Sequence, residues 1–231
     1  MNAQRIYAIV EKDLKDFMKN TMLVFMPVIP VILALLYSRM GDGEALPLFM
    51  VYLIVGVTFS SVTTSCMMIM MAEENEKKTL RGLVMSPATF LDIIIGKSLV
   101  TALLTLITLG VSLAVIGIEP FLHVRPFIGL ILLFLFFLFL GIGVGLFVKT
   151  VGMTTAYLMP IMFIFGFTPM IYFLGLSEDS LALKIAEYFP IPQLMAMHDT
   201  QSWLPLGIVA LWVIGAALFM YVCFKRTRKD D

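Results

Sequence analysis

Six long runs of apolar residues divide the chain, and charged residues fall in the segments between them. The runs cover residues 21–38, 47–71, 98–118, 127–148, 151–176 and 204–224. An α-helix rises about 1.5 Å per residue, so runs of this length can cross a hydrocarbon layer about 30 Å thick. The pattern predicts an all-α integral membrane protein with six transmembrane helices, forming a single domain over residues 1–231. Prolines at 27 and 30 predict a bend in the first run, and prolines at 160 and 169 predict a kink or break in the fifth.

Residues 2–19 carry a different pattern, in which apolar residues recur every three or four positions. One predicted helical face holds Ile6, Ile9, Val10, Leu14, Phe17 and Met18, and the other holds Lys12, Asp16 and Lys19. This periodicity predicts an amphipathic helix that lies in the membrane interface. A polar leader that frays is the alternative.

Composition and charge support a membrane protein and give it an orientation. Hydrophobic residues make up 60% of the chain and charged residues 14%, whereas soluble domains carry about 25% charged residues. The formal net charge is zero, which gives no indication of a nucleic-acid partner. Thirteen of the 16 Lys and Arg residues lie at the two ends, between runs two and three, or between runs four and five. Since cytoplasmic loops are enriched in Lys and Arg, we expect both termini to face the cytoplasm.

The candidate chemistry begins with Gly96-Lys97-Ser98, which matches the end of a phosphate-binding loop. The full pattern needs a glycine five positions before Gly96, but Leu91 stands there, followed by Asp92 and three isoleucines. β-Branched residues resist the turns of a phosphate cradle, and Asp92 would place a negative charge near the phosphate. We therefore interpret Gly96 as a close-packing position at the start of the third membrane helix, with Lys97 extending to the cytoplasmic interface.

The six runs themselves contain no Asp, Glu, Lys, Arg or His. Carriers driven by protons or sodium usually place ionisable groups at membrane depth, so this composition argues against a secondary carrier. Neither a metal-binding motif nor a nucleophile–base pair is recognisable in the runs, and we predict no catalytic, cofactor or metal site in the chain. A drive for transport would have to come from another subunit.

The loop at residues 72–97 predicts a compact helix–break–helix unit. Leu80 and Leu83 form an apolar ridge among charged residues, and Pro87 breaks the helix because proline disfavours the helical conformation of the preceding residue, Ser86. An apolar ridge among charges is typical of a docking element for a cytosolic partner. An ordinary solvated loop is the alternative.

This loop resembles the corresponding loop of ABC type-2 permeases, the membrane subunits of one class of ATP-driven exporters. The matching residues are Glu73, Glu74, Glu76, Thr79, Leu80, Leu83, Ser86, Pro87, Gly96 and Lys97. Lys78 and Arg81 depart from the pattern, since many members have Gly and Glu there. The resemblance implies that residues 72–97 carry a coupling helix, in which Glu73, Glu74, Glu76, Thr79, Leu80, Leu83, Ser86 and Pro87 contact an ATPase.

The resemblance also implies the partners and the location of the protein. We expect two copies of an ABC ATPase subunit, which would bind the ATP and magnesium, and a second permease copy or a related permease. The complex would lie in the lipid of a bacterial plasma (inner) membrane. It would export a hydrophobic or amphipathic drug, peptide or lipid. The alternatives are an ATP-independent channel or secondary carrier, and a membrane-bound scaffold or sensor.

Three further stretches have two interpretations each. Thr58, Ser61 and Ser65 form one polar stripe of the second run, which either bonds to a neighbouring helix or lines a transport pathway. The stretch 66–71, CMMIMM, favours adaptable packing over a copper site. The extracellular segment 177–203 has an amphipathic first part, and by resemblance it contains short re-entrant helices that cap the pathway; its His198 is predicted to be an exposed polar residue rather than a ligand.

Overall fold

The first elements of the structure are helix α1 and a first span that is divided into two helices. The computed structural model describes residues 3–40, 46–77, 90–175, 177, 179–200 and 202–227. Helix α1 covers Ala3–Lys19, α2 covers Thr21–Phe25 and α3 covers Val28–Met40. The chain leaves helical geometry at Met26 and Pro27, because proline lacks the N–H that would continue the helix. The bend predicted from Pro27 is confirmed.

The second span forms the centre of the molecule. Helix α4 (Leu48–Thr58) continues through a π-helical segment (Phe59–Thr64) into α5 (Ser65–Glu76). Every residue from 51 to 72 is buried. The other helices therefore surround this span, and its residues contact protein rather than lipid.

Helices α6 and α7 pack against this central span, and α11 packs against α7. Helix α6 covers Phe90–Ile116, α7 covers Val124–Phe147 and α11 covers Leu204–Thr227. Helix α7 lies between α11 and α5 and packs against both. A Cβ atom added at Gly141 would lie 2.8 Å from the Thr64 carbonyl oxygen, and one at Gly145 would lie 2.7 Å from the Met68 carbonyl oxygen. These glycines let two backbones approach closely.

The fifth predicted span, 151–176, is not one straight helix. Helix α8 (Val151–Ile161) includes Pro160 and passes into a π-helical segment (Met162–Gly166), and a 3₁₀ turn (Thr168–Phe173) follows. The predicted break is confirmed. Among the described residues, five helices are long and apolar enough to cross a membrane, and Val151–Gly166 is a shorter apolar helix. The five are Leu23–Met40, Leu48–Glu76, Asp92–Ile116, Val124–Phe147 and Leu204–Thr227.

Two short helices follow the broken span. Helix α9 covers Leu181–Ala186 and α10 covers Pro190–Asp199, and α10 packs against α11, α7 and α4. Within α9, which lies in the part of 177–203 predicted to be amphipathic, Leu181 and Ile185 are exposed, whereas Leu183 and Ala186 are buried. This end of the bundle, which carries α10, is called the α10 end below, and the opposite end, which carries α1, is called the α1 end.

Candidate coupling site at the α1 end

Helix α1 lies against the start of α6 because position 96 has no side chain. A Cβ atom at Gly96 would be 2.7 Å from Cγ2 and 2.9 Å from Cβ of Ile9, which are closer than real Cβ contacts. Ile9 and Phe17 are both buried, and Asp13 lies between them on the same helical face at a spacing of four. The predicted close-packing role of Gly96 is confirmed. Since Gly96–Ser98 lie inside α6, their N–H groups point along the helix axis toward its own carbonyls rather than into a phosphate cradle.

Four charged side chains meet where α1, α5 and α6 come together. Lys97 Nζ lies 3.1 Å from Asp13 Oδ2 and 3.2 Å from Glu74 Oε1, and Lys12 Nζ donates to the same Glu74 oxygen at 2.6 Å. Lys97 is 1% exposed, and Asp13 and Glu74 are each 4% exposed. We call Lys12, Asp13, Glu74 and Lys97 the charge cluster.

The Lys97 side chain does not extend to the surface of the protein, since it is 1% exposed, and its position relative to the membrane interface stays a prediction. Its ammonium group points into the protein because the carboxylates of Asp13 and Glu74 take the place of hydrating water. The charge cluster holds two cations and two carboxylates, so it is neutral as a unit. Such balance is what allows charged groups to lie in a buried environment.

The two members of the charge cluster that belong to α1 have shifted pKa values. Burial raises the pKa of the Asp13 carboxyl above its ordinary value, although the charge and hydrogen bonds of Lys97 act in the opposite direction. The attraction therefore does not fully replace the lost hydration. Burial would lower the pKa of Lys12, but its hydrogen bond to Glu74 and the charge of Glu74 raise it overall. A buried ion pair of this kind is costly to break from one side, whatever its net contribution.

The remaining acidic residues at the end of α5 also have partners inside the chain. Asn20 Nδ2 donates to Glu73 Oε1 at 2.8 Å, and the backbone N–H of Val151 donates to Glu76 Oε2 at 2.7 Å. Glu73 also lies 3.5 Å from Lys77 Nζ, on the exposed surface. The contact of Glu73, Glu74 and Glu76 with an ATPase stays a prediction. For Glu74, burial fits an indirect role through Lys97 and α1 better than a direct one.

The rest of the predicted coupling residues lie outside the described residues. These are Thr79, Leu80, Leu83, Ser86 and Pro87, which belong to the stretch 78–89. What the structure shows is the base of the loop: α5 leads into it at Lys77 and α6 leaves it at Phe90. The charge cluster joins these two helices through Glu74 and Lys97.

Sequence reasoning missed Asp13 and the part that α1 plays in this site. A signal was present, because Asp13 interrupts an apolar face at a spacing of four from both Ile9 and Phe17. A carboxylate on the apolar face of an amphipathic helix has to find a cation or a donor when the helix packs. Lys97 was identified from the Gly96-Lys97-Ser98 motif, but the sequence alone did not show that its side chain turns toward Asp13.

The polar stripe of the second span is fully buried, and its members do not share one environment. Thr58 Oγ1 donates to the Ile54 carbonyl at 2.8 Å, and Ser65 Oγ donates to the Ser61 carbonyl. Bonds to neighbouring helices come from the adjacent positions instead: Thr63 with Thr105 of α6 at 2.9 Å, and Thr64 with the Phe137 carbonyl at 3.1 Å. The π-helical segment Phe59–Thr64 explains the shift, since it has more residues per turn than an α-helix.

Pathway lining by Thr58, Ser61 and Ser65 stays a prediction. Ser61 Oγ has no hydrogen-bond partner among the described residues. The methionines that follow this stripe pack against apolar residues: Met67 and Met71 contact a cluster that includes Leu138, Ile142 and Cys223. This arrangement fits the packing interpretation of residues 66–71.

A second polar contact lies at the α10 end. The OH group of Tyr52 and Nε2 of His198 are 2.9 Å apart, which joins the start of the second span to α10. His198 is exposed, as predicted, but it has this structural partner. Arg125 donates to the backbone carbonyls of Thr200 at 3.1 Å and Ser202 at 3.4 Å, so α7 also holds the chain after α10.

A bundle of apolar helices around a buried central span, with its charges paired at one end, defines a multi-pass α-helical membrane protein. Residues 40–224 match the family described as ABC-2 family transporter protein, and the chain belongs to this family. It is therefore a membrane permease component of an ABC transporter, and the family associates in general with an ABC ATPase. None of the curated proteins matches the chain.

Proposed function

We propose that the chain is the permease of an ATP-driven exporter that moves hydrophobic or amphipathic molecules out of the cytoplasm. Two ATPase subunits would bind ATP and magnesium, and a second permease copy or a related permease would complete the complex. The membrane would be a bacterial plasma membrane with both termini on the cytoplasmic side. The distribution of Lys and Arg supports this orientation.

The observation that carries the proposal is the junction of the second and third spans at the base of the loop 78–89. Lys97 of α6 and Glu74 of α5 are 3.2 Å apart, and both are buried. A push on the loop by a cytosolic ATPase would therefore reach two membrane helices at once. Because every residue from 51 to 72 is buried, movement of the second span has to displace the helices around it.

The choice of cargo rests on the apolar character of the bundle. A groove of about 610 Å³ runs between α6 and α7 and is lined mainly by apolar side chains, including Leu109, Phe127 and Phe134. Thr105 and His123 are the polar members of its lining. Such a groove fits alkyl or aromatic parts of an amphipathic molecule better than a highly charged one.

The function is tested in inside-out membrane vesicles that contain the chain and the ATPase subunit that co-purifies with it. A fluorescent amphiphile should accumulate in the vesicles with ATP, and not with a non-hydrolysable analogue. Leu80→Asp with Leu83→Asp should abolish accumulation and release the ATPase in detergent pull-downs at matched membrane expression. Accumulation that needs no ATP and collapses with a protonophore would instead favour the secondary-carrier alternative.

A further inference from the structure

The charge cluster brings α1 to both sides of the loop 78–89. Glu74 precedes Lys77, the last described residue before the loop, by three positions, and Lys97 follows Phe90, the first described residue after it, by seven. Asp13 and Lys12 of α1 contact these two residues: Asp13 pairs with Lys97, and Lys12 with Glu74. Helix α1 therefore connects the two helices that lead into and out of the loop.

Two further contacts hold α1 in place. Near its middle, Ile9 lies against Gly96 of α6. Just after its last residue, Asn20 donates to Glu73 of α5. Between them, Phe17 belongs to a buried apolar cluster with Val62, Cys66 and Ile69 of the second span. From Ile9 onward, α1 thus contacts the α1 ends of both spans.

These contacts resist sliding of one element past another. Moving α1 away from α6 would separate Lys97 from Asp13, which are 1% and 4% exposed, and charges in such a setting interact more strongly than they do in water. The exposed pair Lys15–Glu11 lacks this property, although its atoms are only 2.6 Å apart, because water can solvate both partners. The buried cluster favours joint movement of the three elements.

We propose that α1 and the α1 ends of the second and third spans move as one rigid body during the transport cycle, and that the neutral charge cluster holds them together. The proposal deepens the proposed function and rests on it, because the movement is the one that an ATPase would drive through the loop. Lys12, Asp13, Glu74 and Lys97 act as positioning residues. Helix α1 is then a brace for the coupling loop and more than an anchor in the interface.

The first test locks α1 to α6 by a disulfide. Ile9→Cys and Gly96→Cys are introduced into a chain with Cys66→Ala and Cys223→Ala, so that the new pair is the only one. A Cβ at position 96 would lie 2.9 Å from the Ile9 Cβ, so the bond forms once α1 moves away by roughly 1 Å, to the Cβ separation of about 3.5–4.5 Å that a disulfide requires. The oxidised complex, with its ATPase, should keep the ATPase and transport rates of the reduced complex. Loss of both on oxidation, restored by reductant, would overturn the proposal.

The second test asks whether charge balance holds the linkage. Lys97→Met leaves the cluster with one cation and two carboxylates, Asp13→Asn leaves two cations and one carboxylate, and the double variant is neutral again. Each single variant should lower transport at least about tenfold at equal ATPase recovery, since it leaves a buried charge without its partner. The double variant should recover most of that loss. Lys15→Met is the matched control, and it should have no effect.

The disulfide yield between positions 9 and 96 provides a readout that needs neither cargo nor ATP. In the Lys97→Met and Asp13→Asn backgrounds the yield should fall, and in the double variant it should return. Equal yields in all backgrounds, or a double variant that is no better than either single variant, would overturn the proposed linkage. Absence of ATP-dependent transport by the unmodified complex would refute the proposed function. The disulfide yields would still test whether the charge cluster holds α1 against α6.

Discussion

The carboxylate of Glu76 accepts a hydrogen bond from the backbone N–H of Val151, with Oε2 and N 2.7 Å apart. Val151 is the first residue of α8, so the negative charge lies at the helix N-terminus, where free N–H groups and the helix dipole favour it. Beside it, Asn75 donates to the carbonyls of Leu146 at 3.2 Å and Val148 at 2.8 Å. The end of the second span therefore fixes the turn between α7 and α8.

Replacing Glu76 should destabilise this turn. Glu76→Ala removes the acceptor and the charge, and we expect it to lower the free energy of unfolding by about 1 kcal/mol, the usual size of a lost helix cap. Glu76→Gln keeps an acceptor and should cost less. Lys77→Ala is the control, because its exposed pair with Glu73 contributes little. The measurement is thermal unfolding in detergent, and equal midpoints for Glu76→Ala and Lys77→Ala would contradict the role given to Glu76.

Two glycines allow a matched test of helix packing. A Cβ at Gly145 would lie 2.7 Å from both the Met68 carbonyl oxygen and the Met71 Cβ, whereas a Cβ at Gly215 would have nothing within 4 Å. Gly145→Ala should therefore overpack the contact between α7 and α5 and cost about 1–3 kcal/mol. Gly215→Ala should be neutral or stabilising, because alanine is the better helix former. The result to look for is a lower unfolding midpoint for Gly145→Ala alone.

Much of the fold follows from the hydrophobic pattern, and the exceptions have physical causes. Apolar runs located the long helices, and Pro27, Pro160 and Pro169 located the breaks, because these signals are local. The bonds from the second span to its neighbours come from Thr63 and Thr64 and not from the predicted stripe, because the π-helical segment Phe59–Thr64 changes the register, and nothing local in the sequence marks such a segment.

The candidate site was predicted in part for a similar reason. The acidic residues Glu73, Glu74 and Glu76 and the pair Gly96-Lys97 were recognised as a unit, yet several of their partners lie far away along the chain. Asp13 and Lys97 are 84 positions apart, and Lys12 and Glu74 are 62 positions apart. Contacts at such separations depend on how the helices pack, which periodicity alone does not determine.

Acidification should weaken the α10 end of the bundle through His198. Burial lowers the pKa of His198 below its ordinary value of 6.5; the charges of His123 and Arg125 act in the same direction, and Asp199 acts against them. The unfolded chain therefore binds the proton more readily than the folded one. The stabilisation is complete above about pH 6.5 and is lost as the pH falls through the lower folded pKa.

The measurement compares unfolding midpoints at about pH 7.5 and about pH 5.5 for the unmodified chain and for His198→Gln. The loss of stability between the two pH values should be smaller in His198→Gln than in the unmodified chain. The difference should be less than about 1 kcal/mol, because the imidazole is partly exposed. His123→Gln removes one of the smaller causes of the His198 pKa shift and leaves burial and the contact between Tyr52 and His198 in place, so its pH dependence should stay close to that of the unmodified chain. The same pH dependence in all three chains would show that His198 does not report on this contact.

The orientation of the chain predicts which side of the membrane a thiol reagent reaches. Asp179 precedes α9, with its side chain fully exposed, and Lys77 ends the described part of α5, with its side chain 65% exposed. With Cys66 and Cys223 replaced by alanine, an impermeant reagent added to intact cells should label Asp179→Cys. It should label Lys77→Cys only after the membrane is opened. The reason is the location of 13 of the 16 Lys and Arg residues on the side of Lys77. Labelling of Lys77→Cys from outside would place the loop 78–89 away from any cytosolic ATPase, and neither the proposed coupling nor the role of α1 as its brace could then hold.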